Sequence, residues 1–130
     1  GAIDGEKYDN ARIITVPPEK EQYWAGVLVQ GRAALEPSPF ELILTRLTRL
    51  KLQKPTQVMD EFAVAVFLED ISEHLERRGY CYHAIDQGII NLIEREDDKF
   101  FPTMKVLLHY IHPIHWKLNR RILKIEDILR

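Results

Sequence analysis

Residues 56–79, TQVMDEFAVAVFLEDISEHLERRG, decide the fold class. Met59, Phe62, Ala63, Val66, Phe67, Ile71 and Leu75 recur at intervals of three and four, the spacing that brings side chains to one face of an α-helix. Thr56 is placed to cap the start of this helix, because its hydroxyl can accept from an orphan N–H. Gly79 is placed to end it, because glycine takes the left-handed conformation at no steric cost. Arg77 and Arg78 sit just before that glycine, where cations complement the negative end of the helix dipole. The other face carries Asp60, Glu61, Glu69, Asp70, Glu73 and Glu76, so the outside of this helix is acidic. An amphipathic helix of this length must bury its stripe against other elements, and the same periodicity on both sides supplies helices as partners.

Upstream, Tyr23, Trp24, Val27, Leu28, Gly31, Ala34 and Leu35 predict a helix from Glu19 to about Leu35, bounded by Pro18 before and by Pro37 and Pro39 after. Ser38 is the expected cap of the next helix, with Pro39 and Glu41 in its first turn and Phe40, Ile43, Leu44, Leu47 and Leu50 as its stripe. Downstream, a helix from about Cys81 to Arg95 buries Ile85, Ile89, Leu92 and Ile93. Gly88 in its interior costs about 1 kcal/mol relative to alanine and is explained by close helix packing. Met104, Leu107, Leu108, Ile111, Ile114 and Leu118 continue the pattern across Pro113, which should kink or split the segment, and Ile122, Ile125 and Leu129 carry it to the C-terminus. The sequence therefore predicts an all-α bundle of five to six helices over residues 19–130. An extended arm over residues 1–18 holds the β-branched run Ile13 to Val16.

The chain has 130 residues, enough for one domain, with 45% hydrophobic and 29% charged residues, the balance of a chain that folds around a core. No apolar run reaches the length of about 20 residues that a membrane span needs, and the N-terminus lacks the pattern of a signal peptide. One cysteine, Cys81, leaves no internal disulfide, and together these features predict a cytoplasmic protein. Gly1 is compatible with a processed end, so the natural chain can extend further upstream.

The net charge of −2 excludes a global basic field, so any contact with DNA has to be local. Two local concentrations of cations exist. Arg46, Arg49, Lys51 and Lys54 follow one another with no acid between Glu41 and Asp60. Lys117, Arg120, Arg121 and Lys124 belong to a second basic stretch in which only Glu126 and Asp127 are acidic. These eight residues are the candidate contacts to DNA or a partner, with Trp116 and Tyr110 as aromatic neighbours able to stack on unpaired bases.

Catalytic patterns are missing. Ser38 and Ser72 are the only serines, and the glycines never form a phosphate-cradling loop. Adjacent acids such as Glu69 with Asp70 diverge by about 100° on a helix and cannot converge on one substrate. His109, His112 and His115 lack the HExxH or paired CxxC spacing of zinc sites. The simpler role for His112 and His115 is to bond the carbonyls that Pro113 leaves without a donor. Neither an enzyme nor a cofactor is expected, and Cys81 reads as a small buried hydrophobe.

Phe67, Leu68 and Leu75, then Ala84, Ile85 and Ile93, then Phe100, Phe101, Pro102 and Thr103 form an order that resembles a helical domain of phage and prophage replication proteins, the helicase loaders and loader inhibitors that lack an ATPase. The resemblance spans Phe67 to Leu108, about a third of the chain. It departs from that group at Val106, where a glutamate closes a capping box, and at Phe67, where a tryptophan is usual. What it implies is a non-enzymatic adaptor that grips a hexameric replicative helicase and touches DNA weakly through the basic stretches. The competing reading is an oligomerisation module, with Leu118, Ile122, Ile125 and Leu129 as a seam between copies of the chain. A histidine-based metal protein is the third.

Overall fold

Burial of one apolar stripe per helix organises the molecule. The computed structural model describes residues 17–57 and 59–129, so the arm expected over residues 1–18 lies, but for its last two residues, outside the described part. Within it, five helices follow in order: α1 (Pro18–Ala34), α2 (Phe40–Gln53), α3 (Glu61–Arg77), α4 (Tyr82–Arg95) and α5 (Met104–Leu129). The protein is all-α, as the periodicity predicts, and its one β-type pairing among the described residues is an isolated bridge between Pro37 and Cys81.

Helices α2, α3 and α4 and the first half of α5 enclose the core. Ile43, Leu47 and Leu50 of α2, Leu75 of α3, Ile85 and Ile89 of α4, and Leu107 and Ile111 of α5 have no exposed surface. Burying a side chain of this size stabilises by about 1.5–3 kcal/mol, so these residues supply most of what opposes chain entropy. Helices α4 and α5 share the most extensive contact, and Gly88 makes it close. A Cβ on Gly88 would stand 2.9 Å from the Ile111 Cα and 3.0 Å from its backbone nitrogen.

Three local expectations change. The cap of α3 is Asp60, whose carboxylate accepts from the Ala63 N–H at 2.7 Å, not Thr56. A carboxylate is favoured over a hydroxyl there because it also meets the positive end of the dipole. Ser38 does not cap α2: Pro39 holds that position, and the Ser38 N–H donates to the Tyr80 carbonyl at 2.8 Å, tying the α1–α2 link to the α3–α4 link. Pro113 does not split α5, which runs through it as one helix of 26 residues.

The α3 stripe is also rotated. Its buried residues are Leu68, Ile71, Ser72 and Leu75, whereas Met59, Phe62 and Val66 are exposed. Apolar residues surround this helix on every side between Phe62 and Leu68, and the neighbouring helix α2 selects the face that includes Val64 and Leu68. Gly79 ends α3 with φ of +74°, and Thr103 caps α5, accepting from the Val106 N–H at 3.3 Å. Phe101 anchors the incoming chain edge-on against Phe67, ring centroids 5.5 Å apart, and donates its N–H to the Pro55 carbonyl.

Helix α1 stands apart from this core. It has no buried residue and packs on α5, where Gly31 lies against the Ile122 side chain and Arg32 pairs with Glu126. Ile122, Ile125 and the rest of the expected intermolecular seam are half-buried, and α1 of the same chain packs on their helix.

Candidate nucleic-acid interface

The two basic stretches differ in burial and partners once their side chains are placed. On α2, Arg46 points inward: it is 7% exposed, and its Nε donates to the Asp86 carboxylate of α4 at 2.7 Å. A buried guanidinium needs this partner, because an unpaired charge in the core costs several kcal/mol. Lys54 is 8% exposed, and its ammonium donates to the Glu96 carbonyl at 3.2 Å and to the Asp98 carbonyl. Glu96 is the C-cap residue of α4, so the charge of Lys54 sits at the negative end of that helix. Both residues hold the fold together. Arg49 is exposed and Lys51 half-buried, which leaves Arg49 as the one exposed base of these four.

The α5 group is arranged differently. Lys117, Arg120, Arg121 and Lys124 are all exposed. Their spacing of three, four and seven residues keeps them within about 100° of one another around the helix. Arg120 lies over the Trp116 ring, 4.8 Å from its centroid, and Trp116 is itself 48% exposed. The stacking fixes the guanidinium while leaving its N–H groups outward. Glu126 is engaged by Arg32 of α1, and Asp127, three residues after Lys124, shares the side of α5 that carries the cations. The two basic stretches sit on helices with different main neighbours, α2 against α3 and α4, and α5 against α4 and α1.

The aromatic and histidine residues of α5 divide as well. Tyr110 is packed against the core, and its hydroxyl donates to the Glu96 carboxylate at 2.6 Å. That bond, more than anything else, holds its phenol above the usual range, and it ties the ring down rather than leaving it to stack on a base. His112 and His115 do not serve the carbonyls around Pro113. His112 Nδ1 bonds the Tyr80 hydroxyl at 3.0 Å, and His115 Nδ1 accepts from the Cys81 backbone N–H at 3.2 Å. An acceptor role requires the neutral ring of His115, and burial, then the neighbouring His112, lowers its pKa below the ordinary imidazole value. His109 lies edge-on to Tyr110 instead. The three histidines thus face different partners, and among the described residues no three His, Cys, Asp or Glu side chains are grouped to hold a metal ion.

Sequence reasoning missed the groove between α2 and α3, lined by the exposed Met59 and by Glu61, the neighbour in sequence of the exposed Phe62. Its signal was present in the apolar run that surrounds α3, which one helix face cannot bury completely. No helix among the described residues is long and apolar enough to cross a membrane. No family model, curated protein or solved structure matches this chain.

Proposed function

We propose that the chain is a non-enzymatic helical adaptor in DNA replication, gripping a protein partner of the replicative-helicase type and touching DNA with the outer face of α5. The observation that carries the DNA contact is the cluster Lys117, Arg120, Arg121 and Lys124, four exposed cations on one helix face. Such a face matches a phosphate backbone, and it works by charge, without reading base edges. Arg46 and Lys54 have no part in this contact, since each already has a partner inside the fold. The helicase part of the reading rests on the resemblance between Phe67 and Leu108.

A DNA titration over a range of salt concentrations tests the contact. Up to four phosphates give a log–log slope no steeper than about −3.6 on duplex DNA. The double variant Arg120→Glu, Arg121→Glu should shallow that slope by about 2, while Arg49→Glu should leave it unchanged. Absence of binding at low salt overturns the DNA contact. Retention of a replicative helicase on the immobilised chain tests the protein contact, and failure to retain it at low salt overturns the adaptor assignment.

A further inference from the structure

We propose that the groove between α2 and α3 is a docking site for a basic amphipathic helix of a protein partner. This rests on the adaptor reading in requiring a protein partner, but uses a surface separate from the α5 cations. Leu44, Thr48, Met59, Val64, Ala65 and Leu68 are among the residues lining an open groove of about 560 Å³. Large apolar side chains stand in solvent close by in the chain, Phe62 at 80%, Leu52 at 76% and Met59 at 45%. Scattered exposed leucines need no explanation, but an exposed methionine lining a preformed concavity, with an exposed phenylalanine next in sequence to its lining residue Glu61, marks a surface that gains by being covered. Two packed helices with a furrow between them accept a third helix, which inserts side chains spaced by three, four and seven.

Charge selects the occupant. Glu61 and Glu69 line the groove, and Glu73 and Glu76 follow Glu69 by four and seven residues, so they continue the same side of α3. All four are exposed, as is Glu41 on α2. Lys51 is the one cation among the lining residues, and it is half-buried. A helix with lysines or arginines flanking its apolar stripe meets this rim favourably, and an acidic helix is repelled. Residues 1–16 of the chain carry three acids and two bases and so are not the complement that this rim selects.

The probe is a labelled synthetic peptide of leucine and lysine at helical spacing, titrated against the full chain, with a leucine and glutamate peptide of the same pattern as its counterpart. Saturable one-to-one binding of the lysine peptide is expected, with amide shifts at Thr48, Ala65 and Leu68 and no binding of the glutamate peptide. Phe62→Ser and Ala65→Arg should each weaken it at least about tenfold, while Arg120→Glu, Arg121→Glu leaves it unchanged. Phe62 and Ala65 are exposed, so circular dichroism and thermal unfolding of both variants should match the parent. Absence of binding, equal binding of the glutamate peptide, or affinity indifferent to Phe62 and Ala65 overturns the proposal. So does a dimer of the chain that Ala65→Arg dissolves, because the occupant is then a second copy. The DNA titration reads the α5 face alone, so failure here and failure there are distinguishable.

Discussion

Helix α5 is held twice, once in each half, and a glycine of another helix stands at each contact. At Gly88 the neighbour is the Ile111 backbone, and both sides of the crossing are buried. At Gly31 the neighbour is the outer end of the Ile122 side chain, and α1 buries nothing completely. The first contact cannot yield without moving a helix, whereas the second can yield by rotating one side chain. The same helix therefore belongs to a rigid core at one end and to a looser pair at the other, and the basic face sits on the looser end.

The sharpest way to break this comparison is to truncate both isoleucines. Ile111→Ala should cost about 2–5 kcal/mol, by lost burial and a residual cavity. Ile122→Ala should cost about 1 kcal/mol, since only part of that side chain leaves water on folding. Denaturant unfolding of the two variants reads the difference, and equal losses would mean that α1 is as firmly seated as α4. Filling the glycines is a finer test. Gly88→Ala should lower stability by about 1–2 kcal/mol net, because overpacking outweighs the gain in helix propensity. Gly31→Ala should change it by less than about 0.5 kcal/mol, since propensity and the cost of turning Ile122 nearly cancel.

The joint between the two halves lies at His112 and His115, and it gives a smaller, pH-dependent effect. The folded-state pKa of His115 is lowered, so the unfolded chain binds the proton more readily. Stability from this group is fully present above 6.5, the ordinary value, and is lost as pH falls below it towards the folded pKa. Unfolding followed on both sides of that value should show the decline, and His115→Gln should flatten it, since the amide accepts from Cys81 without titrating. The smallest effect belongs to the looser contact. Glu126→Gln should cost at most a few tenths of a kcal/mol, because its partner Arg32 is 57% exposed, and added salt should erase even that.

Much of the core was legible in the chain. The stripes of α2 and α4 name Ile43, Leu47, Leu50, Ile85, Ile89 and Leu92, which the structure buries, because each helix has one apolar face and one polar face; Phe40, Leu44 and Ile93 of the same stripes are half-buried. Gly88 was legible as a packing glycine, since nothing in its local sequence calls for the flexibility it costs. The phase of α3 was not, because its apolar residues surround the helix and only the neighbour chooses among them. The site was legible by halves. The α5 cations are exposed, as a helical run of bases predicts. Arg46 and Lys54 look identical to them in sequence, and what buries them is Asp86 and the carbonyls of Glu96 and Asp98, 40 to 44 positions away. Periodicity reports the face of a helix but carries no information on a charge that arrives from another helix. The histidines were misread for the same reason, their partners being Tyr80 and the Cys81 N–H rather than carbonyls of their own helix.

Cys81 gathers several of these threads. It bridges to Pro37, precedes α4, donates its N–H to His115 and has no accessible surface. Being the lone thiol, it makes the molecule its own reporter: alkylation can proceed only through excursions that part the α1–α2 and α3–α4 links from α5. The rate of that reaction is a clock for the opening of the joint, read at a thiol the chain already carries, with no substitution needed to place it.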